Sequence, residues 1–181
     1  MQLTHSLRKA VMSDCAVLQA LIARSISALG AADYSLEQIE AALRGAFGVD
    51  RQLIADGTYY VAELDTRIVA CGGWSRRRTL FGSDAHAARD ATELDPAHDA
   101  ARIRAFFVDP SVARQGFGSA LLARCEADAA AHGFQRFELM ATLPGARLYA
   151  ARGYVAGAPV FYRLGPGLSI EFIPMTKSLS Q

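Results

Sequence analysis

The stretch richest in potential chemistry is Val108-Asp-Pro-Ser-Val-Ala-Arg-Gln-Gly-Phe-Gly-Ser-Ala-Leu-Leu122. A strand-like run stops at a proline, a short loop follows, and two glycines open a segment of helical periodicity. Free backbone N–H groups converge at a helix N-terminus, where the dipole also favours negative charge, so such a turn can hold an anion. Gly116 and Gly118 remove the Cβ atoms that would keep a phosphate off the backbone. Spacing then excludes two phosphate motifs. A P-loop places a lysine after its last glycine, and here Ser119 follows Gly118. A dinucleotide fingerprint needs Gly or Ala where Leu121 stands. A lysine-free turn suits a diphosphate held by main-chain groups; a helix that merely begins at glycines has the same spelling.

Other reactive side chains are scattered. Cys15, Cys71 and Cys125 lack any paired spacing and read as small buried groups in a reducing compartment. His5, His86, His98 and His132 include no pair at i,i+4, so the spacing offers no metal site. The 181 residues fit one domain, 1–181, and at 51% hydrophobic they can bury a core without staples. Nineteen basic side chains against eighteen acidic give +1, which argues against a nucleic-acid binder and against extensive disorder. Seventeen of the nineteen are arginine, a bias that genomic composition explains. The first residues carry Arg8, Lys9 and Asp14 without an apolar h-region, and no uncharged run approaches the roughly 20 residues of a membrane helix. A cytoplasmic protein with no membrane partner is the expectation.

Periodicity supplies the elements that must position the turn. Leu7 to Val11 reads as a strand, and Ser13 or Asp14 caps a helix carrying Val17, Leu18, Leu21, Ile22 and Ile26. Ser35 and Gln38 form a capping box for a second helix bearing Leu36, Ile39, Leu43 and Phe47. Thr58–Leu64 and Ile68–Trp74 form a hairpin about Asp65-Thr-Arg67. Residues 83–100 are small and polar, a long surface loop. Arg102–Val108 is a strand, Phe117–His132 a helix closed by Gly133, Phe134–Thr142 a strand, and Ala146–Arg152 a short helix closed by Gly153. Tyr154–Leu164 and Leu168–Met175 close the chain as a hairpin around Gly165-Pro-Gly167. The strand-helix-strand unit over 102–142 requires two parallel strands. Arg76-Arg77-Arg78 reads as a solvated turn or as a site for an acidic partner group, His132 as a partner of its helix dipole, and Trp74 and Tyr34 as core or cleft-lining rings.

The sequence resembles the GNAT superfamily of acyl-CoA-dependent N-acyltransferases. Pro110, Gly116 and Gly118 match its Arg/Gln-x-x-Gly-x-Gly/Ala signature, and Gly145-Ala-Arg-Leu-Tyr-Ala-Ala-Arg-Gly-Tyr154 is similar to its second motif. Two departures stand out: the first signature Arg/Gln falls on Ala113, with Arg114 next, and the Asn before the second motif falls on Thr142. The resemblance implies an α+β fold, a mixed central sheet of about six to seven strands flanked by helices, with a parallel pair splayed at the cofactor. It implies an N-acetyltransferase that moves an acetyl group from acetyl-CoA to a primary amine of a small molecule or peptide. A degenerate acyl-CoA sensor is the alternative, and a homodimer is compatible with either. Arg114, Gln115, Gly116, Phe117, Gly118 and Ser119 would then hold the pyrophosphate, with Thr142 and the strand end Phe107–Val108 along the pantetheine. Tyr149 falls at the place of the general acid, a backbone N–H near Val108 at that of the oxyanion donor. Glu138, with Glu171 behind it, is the nearest carboxylate for a base.

Overall fold

The computed structural model describes residues 5–85 and 89–179, so residues 86–88 of the 83–100 loop, His86 among them, lie outside it. Eight strands share one mixed sheet: β1 (His5–Lys9), β2 (Tyr59–Leu64), β3 (Arg67–Ser75), β4 (Ala101–Val108), β5 (Arg136–Thr142), β6 (Val155–Ala156), β7 (Val160–Gly165) and β8 (Leu168–Ser178). Their order is β1-β2-β3-β4-β5-β8-β6, with β7 also on β8. One strand more than expected arises because Tyr154–Leu164 divides in two. Gly157 still donates to Pro174 O at 2.8 Å in the β6 register, Pro159 then has no N–H for a ladder, and pairing resumes at Val160↔Phe172 shifted by one residue. All neighbours are antiparallel except β4 and β5.

Five helices cover the faces: α1 (Cys15–Leu29), α2 (Leu36–Ala42), α3 (Arg51–Ala55), α4 (Phe117–Ala131) and α5 (Ala146–Ala150). The Ser35 capping box of α2 is formed, each partner's side chain accepting from the other's amide. Helix α3 has too few turns to show a period; its start is fixed by Asp50, which accepts from Gln52 N at 3.1 Å. On α1 the inward stripe is Leu18, Leu21, Ile22, Ser25 and Ile26, whereas Val17 is exposed, as is Leu36 on α2. Val17 falls one step off the 3.6-residue stripe that meets the sheet, whereas Leu36 is the first residue of its helix. By length and composition the helical stretch Met12–Leu29 could cross a bilayer, but here that stripe packs against the sheet.

Helix α4 and β5's inward residues enclose one apolar core around Trp74, Leu121, Phe134 and Phe137. Helices α1 to α3 enclose a second on the opposite face, around Leu18, Phe47, Tyr59 and Phe172. Trp74 therefore does not line a cleft: its indole donates to Asp128 on α4 (2.8 Å), and the His132 ring lies against it. Tyr34 is a clamp, donating to Glu171 O and accepting from Leu143 N, both at 2.8 Å. The arginine run is not merely solvated either. Arg77 grips Asp56 with two nitrogens, and Arg76 reaches Asp56 and Glu93. The 83–100 loop is likewise tied down, with Ser83 and Leu94 buried and Thr79 hydrogen-bonded to Asp90 O.

Two features of β4 open the sheet. Its register against β3 slips between Cys71 and Gly73, and Ala105 there has φ +55°. A left-handed alanine costs about 1–2 kcal/mol. It is held because its carbonyl accepts from the fully buried Tyr59 hydroxyl (3.3 Å), while Gly72 leaves room for the Phe106 ring, 2.7 Å from where a Cβ would stand. The bulge bends the strand. Around it β4 and β5 separate: only Ala101↔Phe137 and Arg102↔Glu138 pair, and from Ile103 onward no strand among the described residues lies along that edge.

Candidate active site

The separation leaves a cavity of about 60 Å³ through the sheet, lined from both cores. Phe106 and Tyr149 come from the α4 side, Phe47, Phe81, Met140 and Phe172 from the α1–α3 side, and Arg104, Ala105 and Thr142 from the strands themselves. A wider hollow of about 550 Å³ adjoins it through Phe47 and Gly48, bordered by Cys15, Gln19, Arg51 and Ser83.

At the C-terminal end of the gap lies the glycine turn. Asp109 ends β4 by accepting from Ser111 N, and Pro110 to Val112 form a single 3-10 turn. Arg114 (φ +66°) and Gly116 (φ +91°) then take left-handed conformations, alternating the peptide planes so that successive N–H groups face one concavity. Ala120 N is the first amide to find Gly116 O (3.0 Å), so those of Phe117, Gly118 and Ser119 have no acceptor within the helix. Gly116 faces open space, and a Cβ on Gly118 would stand 3.1 Å from Leu148 and 3.6 Å from Val108. The turn therefore fits a diphosphate resting on main-chain donors. Arg114 and Gln115 are exposed beside it. Arg152 was not singled out by the sequence pattern because it occupies a variable place in the second motif. It reaches the same turn, its Nε donating to Ser119 Oγ at 3.2 Å.

Tyr149 is buried on α5, with Phe106 and Tyr154 edge-on to it at 6.2 and 5.7 Å. Burial pushes its phenol well above the ordinary value, so it stays protonated at any physiological pH. Thr142 lies at the end of β5 and its Oγ1 accepts from Gly145 N (3.2 Å), leaving its own proton available. Phe107 packs edge-on to Phe47, and a Val108 methyl lies beside Gly118.

Three expected roles meet different geometry. The Val108 amide is not idle: it donates to Ser25 Oγ on α1 at 3.3 Å, a partner supplied by a helix far away in sequence. Glu138 lies at the end of the parallel pair that stays closed and is ion-paired with Arg102, away from the separated end. Glu171 alternates with Ile170 and Phe172, whose side chains enter the second core, so its own side chain leaves the other face of β8. No aspartate, glutamate or histidine lines the gap among the described residues.

The acetyltransferase (GNAT) family pattern matches residues 28–154. The chain belongs to the GNAT acetyltransferase family. Among solved structures, it is similar to a GCN5-related N-acetyltransferase from Rhodopseudomonas palustris, with 26% identity and TM-score 0.71 over 99% of each chain. The PaiA N-acetyltransferase of Thermoplasma acidophilum, solved with coenzyme A, has 15% identity and TM-score 0.65, over 97% of this chain and 99% of that one. The putative acetyltransferase YncA of Salmonella typhimurium, solved with acetyl-CoA, has 15% identity and TM-score 0.63, over 98% and 95%. Curated proteins offer no match. The bulged β4, its separation from β5 and the turn opening α4 are thus features of a GNAT fold.

Proposed function

We propose that this protein is an acetyl-CoA-dependent N-acetyltransferase that passes the acetyl group directly to a primary amine. The observation that carries this reading is the gap itself: the glycine turn ends it on one side of the sheet, and the wider hollow opens onto it from the other. Two substrates can therefore approach from opposite faces and meet between β4 and β5 without a covalent enzyme intermediate.

Acetyl-CoA supplies an activated thioester carbonyl. The chain's own residues do the rest. Amides of Phe117, Gly118 and Ser119, with Arg114 and Arg152 beside them, receive the diphosphate. The free edge of β4 at Phe107–Val108 offers main-chain groups to an extended pantetheine arm as a further strand would. Val108 N–H is oriented towards the gap edge, and sharing it between Ser25 Oγ and the carbonyl oxygen polarises the carbonyl. The protonated Tyr149 hydroxyl donates to the departing thiolate. Because no carboxylate or imidazole lines the gap among the described residues, the amine enters neutral and loses its second proton through water.

That same lack favours one competing reading, an acyl-CoA sensor without turnover. Saturating acetyl-CoA is expected to raise the melting temperature by linkage, and Gly118→Glu to abolish the rise, since its carboxylate projects at Leu148 and the diphosphate place. No rise in the native protein overturns both readings. A rise without release of CoA thiol across a broad amine panel leaves the sensor.

A further inference from the structure

Among the described residues, Arg104 is the one charged side chain lining the gap. It stands on β4 immediately before the bulge, only 5% exposed as a residue, and faces the α1–α3 side from which an acceptor would arrive. Its Nη2 donates to Gly82 O at 2.8 Å and is ion-paired with Asp50 Oδ2 at 2.7 Å without hydrogen-bond geometry, while its buried Nε has no partner. An unpaired buried donor is costly, by about 1–3 kcal/mol and more when charged. Asp50, wholly buried, is also shared: its Oδ1 accepts from Arg89 at 2.8 Å and from the first turn of α3. Two guanidinium groups thus face one carboxylate, and the cluster keeps one uncompensated positive charge. The neighbouring Arg51 and Asp84 pair with each other and do not neutralise it.

The surroundings restrict what that charge can meet. Phe47, Phe81 and Phe172 form an apolar wall beside it, their rings packed edge-on or tilted against one another. Among the described residues no acidic side chain lines the gap, and Asp84 at the border of the wider hollow is already paired with Arg51, so a polycationic amine would meet repulsion at Arg104. A phosphate dianion would need more than one free cation or an open helix N-terminus. The nearest N-terminus, that of α3, is already occupied by Asp50 and Asp84. A planar guanidinium with a free edge matches a carboxylate.

We propose that the acceptor is an amino acid with an apolar side chain, its carboxylate held by Arg104 while its amine reaches the gap. This rests on the acetyltransferase reading above. Arg104 is a specificity-determining residue and Asp50 the positioning residue that fixes its fork.

The test compares matched acceptors on the native protein by release of CoA thiol from acetyl-CoA: L-phenylalanine, L-leucine and L-methionine, against phenylalanine amide, phenethylamine and spermidine. The acids are expected to exceed their carboxylate-free counterparts in kcat/KM by at least about tenfold, the worth of one charge-assisted hydrogen bond. Equal or better turnover of the amide, phenethylamine or spermidine overturns the proposal. So does a melting shift with acetyl-CoA but no thiol release with any of the three acids, whereas no melting shift at all overturns the parent reading. Arg104→Lys keeps the charge opposite Asp50 but loses the fork. It is expected to raise KM for the amino acid about tenfold or more with KM for acetyl-CoA unchanged; an unchanged KM for the amino acid removes Arg104 from the site.

Discussion

Tyr149 shows how environment rewrites a residue's chemistry. In water a phenol titrates near 10 and can serve as acid or base. Packed against Phe106 and Tyr154, its phenolate is disfavoured by burial, so only donation is open to it. Among the described residues the gap lining also includes no carboxylate or imidazole. From this follows a kinetic signature: kcat/KM is expected to climb with pH as the acceptor's own ammonium deprotonates. No inflection should appear between about pH 5 and 8, where a histidine or raised carboxylate would show. Tyr149→Phe should lower kcat without bending that profile. A plateau near neutrality in the native protein would mean that a side chain outside the lining acts as base.

At the scale of elements, the site depends on β4 being bent. Ala105 is held left-handed by Tyr59 from β2, and Gly72 on β3 makes room for Phe106, the ring that packs on Tyr149. A Cβ at residue 72 would overlap the Phe106 ring, and overpacking of this kind costs about 1–3 kcal/mol. Gly72→Ala is therefore expected to lower stability by that amount in a denaturant titration. It should weaken turnover as well, because Phe106 can move only towards Tyr149 or into the gap. Unaltered stability together with unaltered turnover would show that the ring relaxes freely and that the bulge is not tuned through it. The glycine turn is different in kind: it is set locally by Asp109, Pro110 and two left-handed residues, with few demands on the rest of the sheet.

Across the whole molecule, the end of β4 is anchored to helix α1 and to β3 through Asp109. Ser111 Oγ donates to its carboxylate (2.6 Å), as do the Ser111 amide and Arg24 from α1, and against the cost of burial these hold its pKa at about 2 instead of 3.8. A carboxylate depressed on folding adds stability above its unfolded pKa, and that contribution fades as pH falls through the folded value. Asp109→Asn is expected to lose about 2 kcal/mol at neutral pH, with the difference from the native protein closing between about pH 4 and 2. A difference independent of pH would assign the loss to packing alone. The sequence by itself determined the glycine turn, the α2 capping box, the β2–β3 hairpin and the strand-helix-strand unit around Phe117, because each is written in short-range spacing or main-chain preference. Only the tertiary structure decided where side chains far apart in sequence meet. Ser25 comes from α1 to the Val108 amide, Arg102 draws Glu138 away from the gap, and Asp50 and Arg89 leave Arg104 with a charge to spare. Arg104 had a faint signal, a charge alternating with Ile103 in a central strand. Its meaning depends on how many carboxylates share its burial, and no local pattern encodes that.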